Sequence, residues 1–177
     1  MLRLKIIRLI VTVFVFLGAT SMKAQDSIKW MTFSEMETAM EKEPKKVFVD
    51  FWTSWCGWCK RMDATTFKDP EIVTYINEHF YPVKFNAEEK ETITFRGTEF
   101  KFKAVGRRGY NELAYQVLSG KMSYPSYSFL EEESVQVITT VKGYQEPDQL
   151  LPILKFIGDK HYKNTSWKAY KSTLKSD

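Results

Sequence analysis

The chain has 177 residues, room for one domain and not comfortably for two. Apolar residues make up 44% and aromatic residues 15%, which excludes a disordered chain. The formal charge of +4 arises from 26 basic and 22 acidic residues, but Arg3, Lys5, Arg8 and Lys23 stand in an acid-free stretch at residues 1–24, so the remainder is neutral and a nucleic-acid-binding reading loses its main support.

Arg3, Lys5 and Arg8 flank an apolar run at residues 9–19, and Ala24 is followed by the polar Gln25 and Asp26. This pattern predicts a signal peptide over residues 1–24 and a periplasmic or secreted product. The run is shorter than the roughly 20 apolar residues of a membrane span. Met22, third before the expected cut, is larger than the peptidase prefers, so anchoring by an uncleaved leader stays open. Cys56 and Cys59 are the only cysteines and neither follows the leader, which excludes a lipoprotein. Export would place both where disulfides form.

Phe33, Met36 and Met40 recur at helical spacing, with Ser34 as the expected N-cap and Pro44 as the stop. Lys46–Trp52 is a nearly continuous apolar run, the pattern of a strand covered on both faces. A helix over 59–67 opens at Cys56, and Asp69 and Pro70 cap the next, whose face is Ile72, Tyr75, Ile76 and Phe80. A strand is expected at 81–86, a hairpin of 92–95 with 99–102 around Arg96 and Gly97, and a helix over 110–118 ended by Gly120. Strands follow at 126–130 and 135–141. The final helix runs from Pro147 to about His161 with Leu150, Leu151, Leu154 and Ile157 inward, although Pro152 allows a later start. Residues 163–177 read as a loose polar tail. The sum is one α/β domain over 25–162.

Cys56-Gly57-Trp58-Cys59 sits where the apolar strand hands over to a helix. Three readings compete. A structural staple closing four residues would contribute about 2 kcal/mol, against about 3 kcal/mol for a fifteen-residue loop. A metal site needs two further ligands, and His79 and His161 fit no ligand spacing. Thiol–disulfide exchange needs two thiols in reach and one of them activated. The helix N-terminus supplies activation through its unpaired N–H groups and dipole. Lowering a thiol from about 8.5 to about 7 raises the thiolate at pH 7 from about 3% to about 50%. Lower nucleophilicity takes back about fivefold, leaving a threefold net gain and a better leaving group. Cys56 is then the more exposed attacking sulfur, and Cys59 the shielded resolving one.

Residues 49–60, VDFWTSWCGWCK, resemble the active-site segment of the thioredoxin superfamily. Trp52 and Trp55 stand at its two tryptophan positions. Asp50 matches the buried carboxylate that moves a proton during exchange, and Lys84 the lysine paired with it. Tyr124 and Pro125 match the cis-proline facing the cysteines, and Gly143 the glycine lining the substrate groove. The order agrees over about residues 32–160. Residues 65–80 also resemble the periplasmic thioredoxin-like domain of bacterial transmembrane disulfide reductases. The resemblance implies a thioredoxin-like fold, a central mixed β-sheet flanked by helices. It implies a disulfide oxidoreductase acting on protein clients, probed by Trp55, Gly57, Trp58 and the backbone of Tyr124. Its direction is reductive or isomerising, with no cofactor beyond the Cys56–Cys59 pair, no metal, no nucleic acid, and a membrane or periplasmic electron donor. Haem-attachment or copper-site cysteines are possible clients. The alternative is a non-catalytic client-binding module, a holdase or assembly factor, using the tryptophans.

Each residue has a plainer account. Asp50 would be cheap on an edge strand in water, and costly if buried without a raised pKa or a partner. Lys84 fits an ordinary surface strand, and Trp55 and Trp58 fit core cover. Two features depart from thioredoxins: Trp58 replaces a proline, and residues 87–122 are a long insertion before the cis-proline strand. The insertion reads equally as edge shielding or as partner recognition. Its Lys101, Lys103, Arg107 and Arg108 sit beside Glu88, Glu89 and Glu91, which suits a solvated mixed surface.

Overall fold

A computed structural model describes residues 27–174. The expected leader lies outside the described residues. Among those residues no helix is long and apolar enough to cross a membrane.

The first helix, α1 (Phe33–Met40), is capped by Thr32 and not by Ser34. Thr32 and Glu35 form a reciprocal capping box, which satisfies two N-terminal donors at once. Strand β1 (Lys46–Trp52) is buried on both faces, as its apolar run requires. It leads into α2 (Gly57–Ala64), which stops earlier than expected. A separate 3-10 turn at Thr66–Lys68 then buries Phe67. Asp69 caps α3 (Pro70–His79), whose first residue is the proline. Strand β2 (Phe80–Asn86) runs parallel to β1, while β7 (Ser126–Leu130) and β8 (Val137–Lys142) follow antiparallel in the order β2-β1-β7-β8. Met31 pairs with the outer edge of β2.

Period-two alternation sorts β1 into two cores. Val47, Val49 and Phe51 face α1 and the insertion, packing with Phe33, Phe85 and Leu113. Phe48 faces α2, α3 and α5 (Pro147–Gly158), packing with Met62, Ile76, Tyr127 and Leu154. Asp50 shares the face of Phe48. Helix α5 starts at Pro147 and passes through Pro152 without breaking.

The insertion holds two hairpins. The expected one pairs β3 (Ile93–Phe95) with β4 (Thr98–Phe100). The second, β5 (Phe102–Val105) with β6 (Arg108–Asn111), takes Tyr110 out of the expected helix, leaving α4 (Glu112–Val117) capped by Asn111. The stretch read as a polar tail carries α6 (Trp167–Thr173). Trp167 and Tyr170 lie on Phe156 at ring-centroid distances of 5.3 and 5.1 Å, so this segment is docked and not loose.

Candidate active site

The carboxyl end of β1 delivers the chain to α2 through one turn, closed by the Cys56 amide donating to the Thr53 carbonyl. Cys56 is the N-cap of α2. Its sulfur accepts the Cys59 amide at 3.0 Å, in the place a serine or aspartate oxygen usually fills. The two cysteines form a disulfide, with Cα atoms 5.3 Å apart. They are almost equally covered, Cys56 4% and Cys59 3% exposed, so the expected exposure of Cys56 does not hold in this state.

Asp50 is central and 1% exposed, not on an edge. The β1–β2 register sets it opposite Lys84, whose Nζ donates to Asp50 Oδ2 at 3.0 Å. Asp50 Oδ1 has no partner. Burial pushes the Asp50 carboxyl up to about 6, against the opposing pull of Lys84. Lys84 also donates to Asp63 Oδ1, one turn beyond Cys59 on α2. Burial disfavours the ammonium, but the two carboxylates outweigh this and hold its pKa above the ordinary lysine value. Trp30 and Trp52 flank it at 5.0 and 5.9 Å. The Tyr127 hydroxyl, on the strand position opposite Asp50, is buried without a partner.

The rim is aromatic. Trp55 is 47% exposed and Trp58 57% exposed. Trp55 donates from Nε1 to Glu88 at 3.0 Å, meets Tyr124 edge-on at 5.9 Å, and lies under the Arg108 guanidinium at 3.9 Å. Trp58 rests against Tyr144 at 5.3 Å, with Arg61 over both rings. Gly57, the first residue of α2, leaves open space where a side chain would stand. The Tyr124–Pro125 peptide is cis, and the Pro125 carbonyl accepts the Gly143 amide at 2.9 Å. Gly143 has φ +84, a left-handed conformation suited to glycine, and opens onto free space.

A family model described as a thioredoxin-like domain matches residues 32–158. The chain belongs to the thioredoxin-like family. A thioredoxin of Acidithiobacillus ferridurans is 38% identical over 64 residues, which are 36% of this chain. The chain spans 56% of that relative's length. A solved candidate disulphide-isomerase from Bacteroides thetaiotaomicron is 28% identical, with TM-score 0.53 over 76% of this chain and 94% of that one. A thioredoxin-fold protein from Helicobacter pylori is 22% identical, with TM-score 0.55 over 75% of this chain and 81% of that one, and shares the fold.

Within this thioredoxin-like frame the residues expected at the site fall into three groups. Cys56 and Cys59 form the disulfide, and Trp55, next to Cys56 in the chain, meets Tyr124. Asp50 and Lys84 are linked to α2 through Asp63, Trp58 packs on Tyr144, and Pro125 and Gly143 are hydrogen-bonded to one another. Sequence reasoning missed Asp63, Tyr144 and Tyr127. Asp63 had one faint signal, its i+4 spacing from Cys59 on a helix. Glu88 and Arg108, read as a solvated surface, in fact hold Trp55. No group of three metal-ligating side chains occurs among the described residues.

Proposed function

We propose that the protein is an exported thiol–disulfide oxidoreductase that reduces or isomerises protein disulfides. The observation that carries this reading is the Cys56 sulfur at the N-cap of α2, with the Cys59 amide donating to it, on a helix whose Asp63 shares Lys84 with the buried Asp50. In the reduced protein the Cys56 thiolate attacks one sulfur of a client disulfide. A Cys56–client bond forms and the other client sulfur leaves as thiolate. Asp50, whose carboxyl burial pushes up to about 6, takes the Cys59 proton, directly or through water. The Cys59 thiolate then attacks the Cys56 sulfur, the client leaves as a dithiol, and two electrons have passed from protein to client. The Cys56–Cys59 disulfide is recharged by a thiol donor of the membrane or periplasm. In isomerisation the client's own thiol displaces Cys56 instead, with no net electron transfer.

The reductive preference is supported by the resemblance of the Asp50–Lys84 pair to reductive members, and export by the composition of residues 1–24. The deciding experiment is the Cys56/Cys59 equilibrium with glutathione, followed by fluorescence of Trp55 and Trp58. A potential near about −250 mV or below supports a reductase, one near about −180 mV supports isomerisation, and one approaching about −120 mV indicates an oxidant and overturns the proposed direction. Exposure of Trp55 and Trp58 also suits a client-binding module. Serine at both cysteines separates the two: an oxidoreductase loses activity, and a holdase keeps its binding.

A further inference from the structure

We infer that the cleft between the β5–β6 hairpin and the Cys56 loop takes an acidic side chain of the client polypeptide. This rests on the oxidoreductase reading and adds the chemistry of the client to it. The cleft has a volume of about 520 Å³ and is lined by Ser54, Asn86, Glu88, Lys90, Arg107 and Arg108 among others. Ser54 stands two residues before Cys56, so the floor of the cleft and the reactive sulfur share one loop. Trp55, next in the chain, is held by two residues of the lining, Glu88 and Arg108.

Charge selects the occupant. Three cations line the cleft against one carboxylate, Glu88, which is already engaged by the Trp55 indole. Lys101 and Lys103, the other basic residues of this hairpin region, are paired with Glu99 at 3.4 Å and Glu112 at 3.1 Å. Arg107 and Arg108 form no ion pair among the described residues. Arg108 lies over the Trp55 ring. A guanidinium that stacks through its face keeps its in-plane N–H donors for a carboxylate.

The hairpin is built to be held there and adds little to the core. Residues Lys103, Ala104 and Val105 of β5 are exposed. Tyr110 stacks on Tyr115 of α4 at 4.8 Å, which ties β6 to the domain. Gly109 permits the close approach, because a side chain there would run into Phe102 and the Lys103 carbonyl. A basic wall that also covers Trp55, the residue before Cys56, offers a client carboxylate its partner close in the chain to the reactive sulfur.

The test uses the reduced protein and matched disulfide peptides that differ only in Asp/Glu against Asn/Gln around one cysteine. The readout is the ratio of kcat/KM for the acidic and neutral peptides. The expected ratio is about 5, equivalent to about 1 kcal/mol. It should fall by half or more at 1 M salt, where the screening length is about 3 Å. In Arg107→Gln/Arg108→Gln it should approach 1. Arg107→Gln alone, which contacts no ring, should lower the ratio without changing Trp55 fluorescence. Brisk reduction with a wild-type ratio of 1, or a preference that survives the double variant, overturns the subsite and leaves the oxidoreductase reading standing. If neither peptide is reduced faster than by the Cys56→Ser/Cys59→Ser variant, both readings fall.

Discussion

Asp50→Asn should stabilise the disulfide form at neutral pH and leave it unchanged in acid. The carboxyl is buried, and its pKa is lifted from the ordinary 3.8 to about 6 because desolvation outweighs Lys84. Between those values the folded protein holds a proton that the unfolded chain has released. Stability therefore falls as pH rises from about 4 to about 6, and stays low above that. Two pH units at 1.36 kcal/mol each set the cost at about 3 kcal/mol at pH 8. Asparagine keeps the shape without the charge, and Lys84 retains Asp63 as its partner. Urea unfolding at pH 4, 6 and 8, followed by tryptophan fluorescence, should show a gain approaching 3 kcal/mol at pH 8 and close to zero at pH 4. A gain that ignores pH, or a loss at pH 8, would refute the picture of an under-compensated buried carboxylate. The same variant lacks the proposed proton acceptor, so more stability should come with slower client release.

Lys84→Gln removes the charge that opposes desolvation at Asp50, so the carboxyl should rise further above 6 and the rate–pH profile of client reduction should move to higher pH by about one unit; a profile that stays in place or moves to lower pH contradicts this. Tyr127→Phe deletes a buried hydroxyl with no partner, so it should be neutral or stabilising by about 1 kcal/mol in urea unfolding, whereas a loss of that size would mean the hydroxyl is bonded. Trp167→Ala should cost about 1–2 kcal/mol and free α6 from Phe156, read as faster amide exchange over residues 167–173.

What could be read in the sequence depended on whether the signal was local. Lys46–Trp52 declared itself because a strand covered on both faces is apolar throughout, which made Asp50 conspicuous as its one acid. Asp69 with Pro70 marked the start of α3, and Arg96 with Gly97 marked the first hairpin. The second hairpin left only a short signal, since β5 is four residues long and mostly exposed. The N-cap was misplaced by two residues because Ser34 is as good a cap by type as Thr32. Only the spacing of Thr32 to Glu35 separates them. Helix α6 was hidden because two aromatics three residues apart, among lysines, become a face only when Phe156 lies beneath them. At the site, the cysteines, Asp50, Lys84 and the cis-proline are all visible in sequence. Asp63 shows there only through its spacing from Cys59, because its role comes from a lysine on strand β2.

That shared lysine governs where the proton of the cluster resides. Asp50 and Asp63 divide one ammonium, so the trio carries a net charge of −1 when both acids are ionised. Asp63 has a 41% exposed side chain and can rely on water, whereas Asp50 can rely only on Lys84. Burial therefore acts on the Asp50 carboxyl and lifts it to about 6. Asp63 favours this in two ways. Its own charge raises the Asp50 pKa, and it draws part of the hydrogen bonding of Lys84 away. Asp63→Asn should release Lys84 to Asp50 and remove the nearby negative charge, and both changes lower the Asp50 pKa. The window in which stability falls should then shift below pH 6, and protein stability at pH 8 should rise relative to that at pH 4. Comparing the pH dependence of unfolding in Asp63→Asn and the parent protein measures this directly. A window that moves upward would mean that Asp63 holds Lys84 in place for Asp50 and does not compete with Asp50 for it.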